Sequence, residues 1–511
     1  MDIFAFALYF VAMVAIGIYF FFKSKAATEK DYFLGGRAMG PWVTAMSAQA
    51  SDMSAWLLMG LPGSILAFGF GQAWIGIGLA IGTAANWIFV AKRLRKFSKA
   101  SGDSITLPQY LSNRFVSKSH TLSIICAVVF LVCFTIYVAS AFVAGTDVFT
   151  TLVPSLTRGS AMLIFAAIVI AYTFLGGFRA VCWTDFFQGL LMLAALLIVP
   201  IVVGLGNNLD ASALDTVYDG PNGEKFTFVA NFLNASPQDI LSGLGWGLGY
   251  FGMPHIIVRF MAIEKPSMVK KSATVAIIWV VLSLGATILI AYFGRMFVYD
   301  NGVDLSKELL ANGQQSLVFV KLARYVFPSF IAGLLLAAII AASMSTADSQ
   351  LLVAASSFTS DLYKPLIRKN ASNKEILWVS RLVVVAISVV AFFIASSEGE
   401  AAQAIMNLVS NAWGIFGAAF GPAVLFSLFW KRFTYKGAVA GIIVGAVVDM
   451  VWLWAPVADG MALTALTGIY EIIPGFIIGA VAAVIVTLID KEPSDEVKAI
   501  YVRATDNSID D

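Results

Sequence analysis

Long apolar runs separated by short polar segments recur along the whole chain, at residues 2–22, 40–67, 71–91, 119–148, 160–176, 183–204, 236–258, 272–298, 316–347, 377–395, 402–430, 437–455 and 469–490. About 20 apolar residues wound as a helix cross the roughly 30 Å hydrocarbon core of a bilayer. The pattern therefore predicts an all-α integral membrane protein with thirteen spans. The charges between the runs provide a check, because cytoplasmic loops carry an excess of Lys and Arg. With Met1 outside, 27 of the 33 basic residues sort to the cytoplasmic side, Lys25, Arg179 and Arg259 among them; Arg158, Lys225, Arg295, Lys307, Lys321 and Arg324 remain outside. The C-terminus is then cytoplasmic. Asp2 precedes the first run and no small-residue cleavage site follows it, so this run is expected to stay as a helix.

Composition narrows the function. The chain is 59% hydrophobic and 13% charged, whereas soluble domains carry about 25% charged residues. A net charge of +2, with no basic run interleaved with aromatics, argues against a nucleic-acid surface. Cys126, Cys133 and Cys182 fit no metal spacing. A haem or membrane-enzyme site would need ligating or catalytic groups that His120 and His255 do not supply together. No segment between spans is long enough for a soluble catalytic domain, so neither an enzyme nor a resident cofactor is expected. The outer segment 205–235, with Asp210, Asp215, Asp219 and Glu224, reads as a solvated connector, with a lid as the alternative.

Two runs are poor lipid-facing helices. Span 2 carries Asp52 in mid-membrane, followed by Gly60, Pro62 and Gly63; span 7 carries Gly243, Gly245, Gly247, Gly249 and Gly252 before Pro254. Breaks at membrane depth are tolerated only where protein or a water-filled cavity satisfies the freed backbone groups. Span 7 follows span 2 by five, an odd number, so spans 2–6 and 7–11 form two repeats of opposite orientation, each with a broken first helix. Paired broken helices in inverted repeats point to the binding site of a secondary transporter. The organisation expected is a peripheral helix and loop (1–39), a first repeat (40–204), a second repeat (236–430), peripheral spans (431–490) and a cytoplasmic tail (491–511).

An ionised carboxylate at mid-bilayer costs at least about 2.5 kcal/mol, so Asp52 needs a counter-charge. No Lys or Arg is expected in the central part of any core span, which leaves a transported cation. Ser343, Ser345 and Thr346 near the inner end of span 9, followed by Asp348, offer oxygens of the kind hard cations prefer, and carbonyls freed around Ala50 and Met53 add more. Asp185 and Gln188 lie one turn apart at the start of span 6, where Asp185 either pairs with basic loop residues or guides ions leaving inward. Trp56, Tyr137, Trp246 and Tyr250 are candidates for the wall of a solute pocket.

At these residues the sequence resembles the sodium/solute symporter family, and within it the bacterial proline carriers. The similarity rests on ASDMSAWLLMGLPG (50–63), FLGGFRAVCWTDFFQ (174–188), GWGLGYFGMPHIIVRFMA (245–262) and AASMSTADSQLL (341–352), with shorter matches along the chain. The resemblance implies a five-plus-five inverted repeat of the LeuT type in a bacterial inner membrane, importing L-proline with sodium. It implies a sodium site at Ala50, Met53, Ala342, Ser345 and Thr346, acidic coupling positions at Asp52 and Asp185, and a solute pocket around Ser54, Ala55, Trp56, Tyr137, Trp246, Tyr250 and Pro254. Ala55 stands where glycine is expected, and Asp348 adds a carboxylate. Another solute of the family, such as pantothenate, a sugar or another carboxylate, or proton coupling, is the alternative.

Overall fold

A computed structural model describes residues 1–24, 28–175, 177–206, 208–397, 404–458 and 460–506. Lys25, Gly176 at the end of span 5, residues 402–403 at the start of span 11, and 507–511 of the tail lie outside them. Among the described residues, ten helices are long and apolar enough to cross a membrane. They correspond to spans 1, 3, 4, 6 and 8–13 of the sequence pattern. The count of thirteen is not established by this measure, for a physical reason. Spans 2 and 7 are divided into pieces too short to cross alone, while span 5, the helix Arg158–Leu175, is as long as span 13 and adjoins Gly176, outside the described residues.

The bundle is graded from centre to rim. Span 9 (Ser329–Ser356, continuing to Ile367) and span 11 (Ala404–Phe429) are the most deeply buried, whereas span 1 and span 13 (Ile472–Ile489) are mostly at the surface. The rim exposes Phe4, Val11, Ile81, Val132, Phe393 and Leu488. In water such a surface would be an aggregation liability; in lipid it is solvated.

Span 2 runs as Pro41–Met53, breaks, turns briefly through Ala55–Leu57 and resumes as Gly60–Phe68. The break is at Ser54, whose φ of 46° a non-glycine residue adopts only under strain. Its hydroxyl accepts from the Trp56 amide at 3.1 Å, and Thr287 Oγ1 donates to the Leu57 carbonyl at 3.1 Å, so groups freed by the break find partners. Span 7 runs as Pro237–Gly245, tightens through Trp246–Phe251 and restarts at Pro254–Ala262, where Pro254 occupies a first turn that needs no amide donor.

The glycines of span 7 also serve close packing. A Cβ on Gly247 would lie 2.4 Å from the Gly78 carbonyl oxygen of span 3, and one on Gly249 would lie 2.0 Å from the Trp413 indole of span 11. Backbone meets backbone and ring there because no side chain intervenes.

The 205–235 segment is not a loose connector. Tyr218–Asp219 pairs antiparallel with Lys225–Phe226, and Val229 exchanges backbone hydrogen bonds with Phe68 and Phe70 at 3.1 and 2.8 Å. The buried guanidinium of Arg295 reaches the carbonyls of Ala213, Thr216 and Leu66. The segment is thereby tied to the end of span 2.

Candidate functional site

The two broken helices meet at their breaks. Tyr250, in the tight segment of span 7, donates its hydroxyl to Asp52 Oδ2 at 2.5 Å, and Tyr137 of span 4 reaches the Asp52 carbonyl at 3.4 Å. Asp52 is 4% exposed. Among the described residues no basic side chain pairs with it, so its nearest polar partner is a neutral phenol.

One turn earlier, span 9 closes on the end of the first half of span 2 (Pro41–Met53). Ser345 Oγ lies 2.8 Å from the Ala50 carbonyl and 3.2 Å from the Ala342 carbonyl. Thr346 Oγ1 beside it is buried with no hydrogen-bond partner. An orphaned buried hydroxyl is costly, and two carbonyls with two hydroxyls form the oxygen set a hard monovalent cation takes. Ser343 does not join them; its hydroxyl bonds back to Ile339 of its own helix at 3.0 Å. Met53, the last residue of the first half of span 2, is buried one turn after Ala50 on the same helix.

Asp185 pairs with a basic residue, one of its two readings, and what differs from expectation is where that residue lies. Its partner is Arg259, within the second half of span 7, with Nη2 at 3.1 Å from Oδ2 and the two side chains 1% and 0% exposed. Arg259, which the charge pattern assigns to a cytoplasmic loop, is therefore a buried cation in a core span. It also donates to Ser47 of span 2 (3.0 Å) and Ser349 of span 9 (2.5 Å) and bonds the His255 carbonyl. Ser349 lies 3.3 Å from Asp348 Oδ1, while Asp348 Oδ2 and Asp185 Oδ1 are buried without partners. Spans 2, 6, 7 and 9 are thus laced together beneath the breaks.

Above them stands an aromatic wall. Trp56 stacks on Trp246 with centroids 5.3 Å apart, Trp246 stacks on Tyr470 at 5.0 Å, and Tyr250 meets Trp413 edge-on at 5.1 Å. Trp413 Nε1 donates to the Trp246 carbonyl at 2.8 Å and Trp56 Nε1 to Met406 Sδ at 2.8 Å. Trp246 lines a cavity of about 460 Å³ that also touches Gln72, Asp239, Ser410 and Glu471. Ser54, Ala55 and Pro254 are buried at the two breaks. Trp413, Tyr470, Met406, Arg259 and Ser47 were not among the sequence candidates. The Gly-rich NAWGIFGAAFG of span 11 (411–421) was the one available signal for Trp413.

The opposite face is shut by an arginine bracket. Arg37 reaches Asp103 Oδ1 at 2.8 Å, Ser98 Oγ at 3.1 Å, and the Met261 and Ser104 carbonyls at 2.5 and 2.7 Å. Burial would raise the Asp103 carboxyl, but the hydrogen bond from Lys30 and the charges of Arg37, Lys30 and Lys99 outweigh it and hold the group below its ordinary value.

Facing broken helices, a ring-lined cavity on one face and a sealed opposite face are the architecture of a secondary membrane carrier. The profile of the Sodium:solute symporter family matches residues 32–445, and the chain belongs to that family. It is 41% identical over 507 residues to the sodium/proline symporter of Escherichia coli (strain K12), covering 98% of this chain and 95% of that protein. It is 42% identical over 485 residues to the high-affinity proline transporter PutP of Bacillus subtilis (strain 168), covering 95% and 97%. Among solved structures, a substrate-bound, outward-open sodium-coupled sialic acid symporter superposes with a TM-score of 0.72 at 18% identity, covering 96% of this chain and 98% of that one. A closed nucleobase-cation-symport-1 family transporter gives 0.54 at 15% identity, covering 92% and 97%. These two share the fold, which is of the LeuT type.

Proposed function

We propose that this chain is a sodium-coupled symporter that imports L-proline by alternating access across a bacterial inner membrane, with its N-terminus outside and its C-terminus in the cytoplasm. It carries its solute rather than transforming it, with no resident cofactor and with sodium as the co-transported ligand. The naming of both similar proteins for proline supports the solute, and the concentration of basic residues on the face sealed by Arg37 supports the orientation.

The observation that carries the reading is the meeting of Ser345 with the Ala50 carbonyl beside the unpartnered Thr346 hydroxyl. Sodium sits among Ala50, Met53, Ala342, Ser345 and Thr346, and its charge offsets that of Asp52. Binding there fixes the break in span 2, so that the solute carboxylate meets amides at a positive helix end while its ring lies against Trp56, Tyr137, Trp246 and Tyr250, with Ser54, Ala55 and Pro254 shaping the turns. Asp185 couples through Arg259 to span 9. Spans 2–6 and 7–11 move as the two repeats, with spans 1, 12 and 13 outside them.

The driving force suffices. One sodium crossing ~100 mV yields about 2.3 kcal/mol, and a roughly tenfold gradient adds about 1.4. Together they support roughly 500-fold accumulation. Labelled proline uptake into proteoliposomes, with and without an inward sodium gradient, tests the reading: accumulation only with the gradient supports it, and equal uptake in both rejects it.

A further inference from the structure

Apart from the transport site, one buried polar cluster lies among spans 11, 12 and 13. Asp449 of span 12 (Tyr435–Trp454) is 0% exposed, and Glu471, immediately before span 13, is 1% exposed. Both approach the same face of Gly414 in span 11, where a Cβ would lie 3.0 Å from Asp449 Oδ2 and 3.4 Å from Glu471 Cγ. Both oxygens of Asp449 and Oε1 of Glu471 have no hydrogen-bond partner; Glu471 Oε2 accepts from Thr464 at 3.2 Å.

The titratable groups facing the pair are Cys133 on span 4, Tyr470 just ahead of span 13 with Tyr137 behind it, and Asp239 at the start of span 7 across the cavity. Span 11 contributes Gly414 and Ser410. No Lys, Arg or His is paired with either carboxyl among the described residues.

Two adjacent carboxylates inside a membrane protein cannot both stay ionised without a cation. A proton on either carboxyl removes the repulsion, and the close approach of both groups to Gly414 and the unpartnered oxygens of Asp449 are met by that without any added ligand. We propose that Asp449 and Glu471 form a proton-binding site, filled from the roughly 460 Å³ cavity that Glu471 lines. Glu471 is the cavity-facing member and Asp449 lies sealed behind it.

The site sits beside the aromatic wall. Tyr470, adjacent to Glu471, stacks on Trp246 at 5.0 Å and donates to the Ser410 carbonyl at 2.7 Å. Loss of the proton places a net charge next to that ring, weakening its hold on the wall. External alkalinity therefore opposes solute binding by way of Tyr470 and the ring wall it stacks on.

Two measurements on the full-length purified protein test this. The first is the protonated-carboxyl C=O stretch in infrared spectra, followed with pH in wild type, Asp449→Asn and Glu471→Gln; it is independent of which solute is carried. A carboxyl band that titrates in wild type and is missing from both variants is expected, and identical spectra in all three overturn the site. The second is the KM for labelled proline at saturating sodium as external pH rises from about 6 to about 9, the range in which buried carboxyls can titrate. Wild-type KM is expected to rise about fivefold, within the usual range of coupling, while Glu471→Gln stays flat and Glu471→Asp restores the response. A profile common to wild type and Glu471→Gln contradicts the proposal, and so does loss of bound radioactive sodium in either variant in place of a change in the carboxyl band. If Asp449→Asn fails to fold, Glu471→Gln, at the cavity surface, decides alone.

Discussion

The Tyr250 hydroxyl donates a 2.5 Å hydrogen bond to Asp52 Oδ2, joining the break of span 7 to the break of span 2. The one carboxylate in mid-membrane in span 2 is thus held by the segment that also presents the ring wall.

Replacing Asp52 by Asn keeps the shape and removes the negative charge. Sodium-driven proline uptake should fall to near background while the protein still inserts, because the cation has lost its counter-charge. Near-normal sodium affinity in purified Asp52→Asn would sink the assignment.

Tyr250 and Trp246 separate ring from hydroxyl. Tyr250→Phe keeps the wall but loses a hydrogen bond to a charged group, worth about 1.5–3 kcal/mol, so the sodium requirement should rise roughly tenfold or more with proline affinity little changed at saturating sodium. Trp246→Ala removes a ring that stacks between Trp56 and Tyr470. Its proline affinity should drop even at saturating sodium. Matching behaviour in the two mutants would mean that wall and ion site are not distinct.

Arg259 and Asp185 form a buried pair, and removing one partner of such a pair costs about 3–5 kcal/mol because the other is left uncompensated. Arg259→Met should therefore lower the melting temperature sharply and Arg259→Met with Asp185→Leu should recover much of it. A double mutant no more stable than the single would show that the pair is not what ties these spans.

Acid should loosen the sealed face. The Asp103 carboxyl is held below its ordinary value, so its contribution is fully present above the unfolded value of about 3.9 and is lost as pH falls through the lower folded one. With Asp103 32% exposed, the effect is discounted for solvent screening to no more than about 1 kcal/mol. Below about pH 4, wild type should converge in melting temperature on Asp103→Asn; a constant difference between them down to pH 2 argues against it.

Both breaks and most of the oxygen set were legible in the sequence, because Gly, Pro and a carboxylate inside an apolar run have few innocent explanations. Ser345 and Thr346 could be read because a hydroxyl pair on one helix needs only local spacing. Arg259 could not: at the end of an apolar run it is indistinguishable from a loop cation, and only folding shows Asp185 within reach. Trp413 and Tyr470 escaped for a similar reason, since they join the wall from span 11 and the approach to span 13 through contacts far apart in sequence, 167 residues for the Trp413–Trp246 hydrogen bond. The glycines of span 7 carried two meanings at once, a tightened helix and a close approach to Gly78 and Trp413, which periodicity alone does not separate.

The central claim, that sodium bound between spans 2 and 9 drives proline through the breaks, is tested most directly by a sodium titration of labelled proline uptake in proteoliposomes bearing wild type, Ser345→Ala and Thr346→Ala. Each lost ligand should cost about 1–3 kcal/mol, raising the sodium needed for half-maximal uptake roughly five- to a hundredfold. By reciprocal linkage, proline affinity should fall at low sodium and largely recover at high sodium. Sodium curves that superimpose for all three proteins would contradict the account and remove span 9 from the ion site.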